Sequence, residues 1–298
     1  MSILTITDLK KNYGKIQALK GVSFNIPKGS IFGILGPNGS GKTTLLSIIL
    51  DVLNADGGNY SWFGKPVASD LRKNIGSLLE TPNFYHYLSA TRNLKITHSI
   101  SGRGDMAGID LVLQKVNLFE RRKSRFSSFS LGMKQRLAIA AALLGDPEIL
   151  VLDEPTNGLD PVGIAEIRAL IMELSRKGHT IIMASHLLDE VEKVCTHVAI
   201  LKTGTLVTSG TVEDVLADID VVELGTANDL AMLHQLLLQF PGYKEVESDG
   251  NKILISFPKA TANLSNINQY CFEKGFVLNH LVVKKKRLEE KFFELTNN

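Results

Sequence analysis

The chain is short of cysteine, of long apolar runs and of net charge, and each shortage removes a class of protein. Its two cysteines, Cys195 and Cys271, fall in different expected domains and match no metal-ligand spacing, so buried free thiols are expected rather than a disulfide or a metal site. The longest apolar run, "LAIAAALL" at residues 137 to 144, directly follows Lys134 and Arg136. It is less than half of the ~20 residues a bilayer-spanning helix needs, so any membrane role would fall to a separate subunit. Lysine and arginine number 33 against 31 acidic residues, a net charge of +2; this makes no electrostatic case for nucleic acid, and no nucleic-acid partner is expected. The start, "MSILTITDLKKNYG", alternates like a strand and lacks the basic head and apolar core of a signal peptide, which points to the cytoplasm. There is no internal repeat and no low-complexity linker. What is present is 298 residues with 44% apolar content, enough for two packed domains.

The first half reads as mixed sheet and helix. "SILTITDL" and "ALKGVSFNI" alternate as strands of an antiparallel sheet do. "SIFGILG" is a nearly all-apolar strand, followed at once by a glycine-rich loop and by the helix-patterned "KTTLLSIIL", a strand-loop-helix unit of a parallel sheet. Further buried strands are legible at residues 148 to 154, "EILVLDE", and 180 to 186, "TIIMASH". The helix pattern "PVGIAEIRALIMELSRKG" precedes the second of these, and "LLDEVEKVC" follows it. Residues of about 85 to 145 are mostly helical in pattern and read as a helical subdomain inserted into an α/β core. The register changes near residue 220. Strands at 221–225, 243–247, 252–257 and 276–283, with helices at 228–240 and 261–274, make the β-α-β-β-α-β order of a ferredoxin-like α+β domain. A last helix, "RLEEKFFELT", closes the chain; the basic run Lys284 to Arg287 before it is too short for firm lipid anchoring and reads as a solvated strand end.

Two stretches carry phosphate chemistry. "GPNGSGKTT" at 36 to 44 fits G-x-x-x-x-G-K-[ST] between a buried strand and a helix, the context of a phosphate-binding P-loop. Gly36, Gly39 and Gly41 let the backbone wrap a phosphate chain, with Pro37, Asn38, Ser40 and Thr44 completing the loop; Lys42 would reach the β and γ phosphates, and the Thr43 hydroxyl could ligate Mg²⁺. Downstream, "SFSLGMKQR" at 128 to 136 places Ser130 as a cap at a helix start, a second anion-binding arrangement. Asp153 and Glu154 end a buried strand. Two adjacent carboxylates are costly there without a cation; Asp153 is placed to hold Mg²⁺ through water and Glu154 to orient and deprotonate the water attacking a γ phosphate. His186 ends the next strand, at the same sheet edge, where ligands of open α/β folds collect.

Together "GPNGSGKTT", "FSLGMKQR", "ILVLDEPTNGLDP" and "MASH", in that order over residues 1 to about 215, resemble the nucleotide-binding subunit of an ATP-binding-cassette (ABC) transporter. The resemblance implies a P-loop NTPase core with an N-terminal antiparallel β subdomain and an inserted helical subdomain, residues 1–217, followed by an accessory α+β domain, 221–298. It implies an ATPase using ATP and Mg²⁺, working as a homodimer or pseudo-dimer. In such a pair Ser130, Leu131, Gly132 and Met133 of one chain cap the nucleotide on the P-loop of the other, which would explain why one chain carries two anion sites. It also implies Tyr13 as the adenine-stacking aromatic, against its reading as an ordinary half-exposed tyrosine, and Asp160 as the residue coupling the two sites. The partner would be a separate transmembrane permease, with this chain peripheral on the inner face of the membrane.

Two positions depart from the commonest family pattern. The signature reads Phe129-Ser130-Leu131-Gly132-Met133 where Leu-Ser-Gly-Gly-Gln is common; its serine and second glycine remain. Glu80 stands where most members have glutamine. It would take part in metal and water contact and in coupling, with Phe84 and Tyr85 either facing a permease helix or packing the subdomain. Glu80 together with "LGM" is similar to the ATPases of bacitracin and lantibiotic export and self-immunity systems, and the expected function is to energise a permease exporting a peptide antibiotic or other amphipathic compound. The alternatives are a soluble ATPase of the same superfamily acting in translation or DNA repair, or a regulatory ATP-binding module. A single uninterrupted cassette and the joint presence of Lys42, Asp153, Glu154 and His186 argue against these.

Overall fold

The computed structural model describes residues 1–65, 71–79, 83–216, 219–258, 261–284, 288–289 and 292. The chain forms two compact units, Met1–Val212 and Glu213–Asn298. Glu80, the basic run beyond Lys284 and most of the expected closing helix lie outside the described residues.

In the first unit, β1 (Ser2–Tyr13) and β2 (Ile16–Pro27) pair antiparallel as a hairpin, and β1 pairs on its other side with β4 (Gly57–Trp62). Their inward residues, among them Leu4, Ile6, Val22 and Ile26, join one core with the apolar face of α1 (Lys42–Ile49). Each fully buried Leu or Ile of that core contributes about 1.5–3 kcal/mol. Trp62 is wholly buried, and its indole N–H donates to Ile49 O at 2.9 Å, which keeps the one polar atom of the ring satisfied.

The central sheet has the order β5-β6-β7-β3-β8-β9, built from β3 (Ile31–Leu35), β5 (Ile75–Leu78), β6 (Ile149–Asp153), β7 (Thr180–Ser185), β8 (His197–Lys202) and β9 (Thr205–Thr211). All pairs are parallel except β8 with β9. β3, β6 and β7 are buried along their whole length, as their unbroken apolar runs require. The sheet is wider than its apolar runs announce: β5 is a four-residue edge strand containing Gly76, and β8 and β9 form a hairpin around Thr203-Gly204. Register places Asp153 beside Ala184 and Leu35 beside Ser185, so β6, β7 and β3 end level at one edge.

Between β5 and β6 the chain is helical: α2 (Ala90–Ser101), α3 (Gly108–Lys115) and α4 (Leu131–Ala142). Ser89 caps α2 by accepting from Arg92 N, and Gly102 at φ 62° ends it. α5 (Pro161–Arg176) and α6 (Leu188–Val194) flank β7 in sequence; "LDP" starts α5, with Asp160 as cap and proline in the first turn.

The second unit begins at Glu213, within the short α7 (Val212–Leu216). It continues as β10 (Ile219–Thr226), α8 (Leu230–Leu237), β11 (Glu245–Asp249), β12 (Lys252–Pro258), α9 (Leu264–Glu273) and β13 (Leu278–Lys284). The sheet order is β11-β12-β10-β13, antiparallel throughout. Alternate residues Val222, Leu224, Ile253, Ile255 and Phe257 face a core shared with Leu233, Leu237, Ile267 and Cys271. Both cysteines are buried free thiols, and burial raises the thiol pKa of each.

Candidate functional site

The loop after β3 is shaped by close backbone approach. A Cβ on Gly36 would stand 2.3 Å from Ser40 Oγ and 2.4 Å from Leu201 O, and one on Gly41, at φ 102°, 2.6 Å from Ala18 O. Neither position has room for a side chain. The loop is tied by Ser40 N donating to Pro37 O (3.1 Å) and by Gly204 N donating to Ser40 O (3.0 Å). Gly41 is the residue before α1, which has no side-chain cap and no acidic residue in its first turn. Its amino end is therefore an open donor site for an anion.

Lys42 folds back over this loop. Its ammonium donates to Gly36 O at 2.7 Å and Pro37 O at 3.4 Å, and the residue is only 7% exposed. Burial pulls its pKa below the ordinary 10.5, with Glu154 and Asp153 pulling the other way. The loop forms one wall of a cleft of about 1020 Å³, whose lining includes residues 38–44, Glu154, Lys15, Lys20 and Thr203. Three lysines around one cleft favour a polyanion.

The carboxylates stand where β6 ends. Asp153 is 2% exposed, and Thr43 Oγ1 donates to its Oδ2 at 2.9 Å. A hydroxyl and a carboxylate side by side at the foot of a phosphate loop are hard oxygen donors, a set that suits Mg²⁺ shared with phosphate and water oxygens. Glu154 has φ 46°, a left-handed backbone costing about 1–3 kcal/mol for a residue with a side chain, and its N–H donates to Ala184 O at 3.0 Å. That turn aims its carboxylate into the cleft. Oε1 lies 3.9 Å from Lys42 Nζ, and Oε2 2.8 Å from His186 Nδ1. Thus Lys42, Glu154 and His186, distant in sequence, form one chain of contacts.

Other expected site residues are placed differently. Tyr13 is 50% exposed at the end of β1, between two lining residues, Asn12 and Gly14, but is not itself part of the lining; the Lys11 ammonium stands 6.0 Å from its ring centre. Ser130 caps α4 by accepting from Met133 N at 3.3 Å. None of Ser130, Leu131, Gly132 and Met133 lines the cleft of its own chain, and Leu131 is 47% exposed. The loop after Glu154 returns to this helix start: a Cβ on Gly158 would lie 3.2 Å from Leu131 Cδ2. It then enters α5, where Asp160 Oδ1 accepts from Gly163 N at 2.8 Å. Lys15, Lys20 and Thr203 are cleft residues that no motif announces: Lys15 and Thr203 sit in hairpin turns and Lys20 on β2, and long-range sheet packing brings them to the cleft.

The chain is similar to several known proteins. A family model described as ABC transporter matches residues 19–157. The chain is 40% identical over 209 residues to the bacitracin transport ATP-binding protein BcrA of Enterococcus faecalis, covering 69% of this chain and 68% of that one. It is 42% identical over 206 residues to the lantibiotic transport ATP-binding protein SrtF of Streptococcus pyogenes, covering 69% and 89% respectively. Among solved structures, the ADP conformation of MJ1267, an ATP-binding cassette of an ABC transporter, superposes with a TM-score of 0.66 at 27% identity, over 72% of this chain and 92% of that one.

Proposed function

This chain belongs to the ABC transporter family as an ATP-binding subunit, and we propose that pairs of it hydrolyse ATP to drive a separate membrane permease that exports a peptide antibiotic or another amphipathic compound. The observation that carries the catalytic part is the contact chain Lys42–Glu154–His186 at the phosphate loop. Glu154 takes the proton of a water whose oxygen attacks the γ phosphorus, while the bond to the ADP oxygen breaks and releases phosphate. His186 holds the Glu154 carboxylate in place. Incoming phosphate oxygens take the Lys42 ammonium from the carbonyls of Gly36 and Pro37. Thr43 and Asp153 would hold Mg²⁺, which when bound offsets charge on the β and γ phosphates. Tyr13, at the mouth of the cleft, stacks on adenine.

Because the start of α4 is exposed and stands apart from the chain's own cleft, the dimer is read as head to tail, with Ser130 and Gly132 capping nucleotide on a second copy. Asp160, at the end of the loop that links Glu154 to that surface, couples the two sites. For the permease contact, a groove of about 370 Å³ beside Tyr85, Ile96 and Ile100 offers apolar side chains, Ile100 being 82% exposed. Phe84 also packs edge-on to Phe126 at 5.3 Å, so it serves the subdomain as well. Glu80 precedes this groove and is proposed to link it to the metal and attacking water. No helix among the described residues is long and apolar enough to cross a membrane; attachment to the inner face of the membrane is proposed to run through the permease. The strand order of the second unit supports a ferredoxin-like reading, and its role is proposed as regulation or subunit contact. Relatives named for transport give no support to a role in translation or repair.

The test is complementation. Ser130→Arg and Lys42→Ala chains, each inactive alone, should recover ATPase activity when mixed, because one intact composite site forms per mixed dimer. Absence of recovery in proven mixed dimers would refute the shared site.

A further inference from the structure

The turn between α2 and α3 carries an arginine that the site does not explain. Arg103 Nη1 donates to Ile75 O at 2.9 Å and to Ala142 O at 3.3 Å, and Nη2 donates to Ala141 O at 3.3 Å. Among the described residues its side-chain partners are all backbone carbonyls, and burial lowers its pKa. Ala141 and Ala142 are the last residues of α4, whose final carbonyls carry the negative end of its dipole; Ala141 O also accepts from Leu144 N at 3.4 Å. Ile75 opens β5. The two elements touch without side chains between them: a Cβ on Gly76 would lie 2.0 Å from Ala142 O. The arginine's own backbone is held in turn, since His98 Nδ1 donates to Arg103 O at 2.9 Å and Gly104 abuts Gly145, where a Cβ on Gly104 would meet Gly145 N at 2.8 Å. A planar fork thus clamps one end of α4 to the edge of the central sheet.

The other end of α4 begins at Ser130. Twelve helical residues make a lever of about 18 Å, so a tilt of about 3° at the clamp displaces Ser130 by about 1 Å. We propose that Arg103 is a positioning residue for the shared site: by fixing the carboxyl end of α4 on β5, it sets where Ser130 meets nucleotide bound to a second copy of this chain. This rests on the head-to-tail reading above. It predicts a defect that appears in the site to which a chain lends its Ser130 and not in the site built on that chain's own P-loop.

Mixed dimers separate the two. The reference is a wild-type chain paired with a Lys42→Ala chain, which holds one working site. With Arg103→Met placed on the Lys42→Ala chain, the working site uses the altered α4. There kcat should fall at least about tenfold, a displacement of ~1 Å being enough for such losses, while KM for ATP stays within about twofold. With Arg103→Met placed on the opposite chain, the working site uses that chain's P-loop and an unaltered α4, and kcat should match the reference. That arrangement also shows that the altered chain folds. Arg103→Lys, which keeps the charge and loses the fork, should give a smaller loss in the first arrangement only. If Arg103→Met does not assemble, Arg103→Lys in the two arrangements decides. Equal loss in both arrangements, or loss in neither, overturns the role of Arg103. Ser130→Arg in the same two arrangements reports on the underlying reading: loss confined to the chain's own P-loop site would overturn the head-to-tail dimer itself.

Discussion

Whether His186 acts through Glu154 or independently can be decided by a double-mutant cycle. Removing the base with Glu154→Gln should lower kcat by about 10²–10⁴-fold, the usual contribution of a positioned general base. His186→Ala removes one hydrogen bond to a charged group, that of Nδ1 with Glu154 Oε2 at 2.8 Å. Such bonds are worth about 1.5–3 kcal/mol, and the imidazole side chain is 42% exposed, so screening by water puts this one near the low end. About 1.5 kcal/mol of lost positioning corresponds to roughly a tenfold fall in kcat. If the histidine works only by holding the carboxylate, the double variant should be no slower than Glu154→Gln alone, because there is no base left to position. The assay is single-turnover hydrolysis at saturating ATP for the wild type, both single variants and the double variant. A double variant slower than Glu154→Gln by the full factor of the His186→Ala variant would mean that the two side chains act separately, and the contact chain would lose its mechanistic meaning.

Gly36→Ala should cost about 1–3 kcal/mol of stability, because the Leu201 carbonyl that its Cβ meets at 2.4 Å belongs to a central strand and cannot retreat. A thermal-melt midpoint lowered by several degrees, and not raised by ATP, is the expected result; a normal melt with a normal ATP response would refute the packing argument. Lys42→Met tests the buried ammonium. Its folded pKa lies below the free value of 10.5, so the native state sheds this proton first, the unfolded chain binds more protons in that window, and native stability rises with pH there. The stability of the wild type relative to nucleotide-free Lys42→Met should therefore climb as pH approaches 10.5, measured by denaturant unfolding across that range; a flat or falling difference would contradict the burial effect.

The parts of this protein whose chemistry is local can be read along the chain. A phosphate loop needs its glycines, lysine and threonine consecutively, a buried parallel strand needs an unbroken apolar run, and a helix start needs its cap one residue before it. The phosphate loop at Gly36–Thr44, the buried strands and Ser130 are therefore legible along the chain, whereas the cap role of Asp160 and the core-facing residues of β10 and β12 come from the structure. Tertiary structure decided what depends on long-range pairing. The parallel register of β3, β7 and β6 brings Lys42, Glu154 and His186 within contact across 144 positions of chain. The hairpin turns that supply Lys15 and Thr203 to the cleft, and the β2 position that supplies Lys20, carry no motif, because their placement depends on which sheet packs beside which. Edge strands such as β5 are short and poor in apolar residues, so they leave no run to read. Arg103 is one more arginine in a polar turn until the fold sets three carbonyls from two distant elements around its guanidinium. Satisfying buried carbonyls is a requirement of the packed interior, and no local pattern can state in advance which residue will meet it.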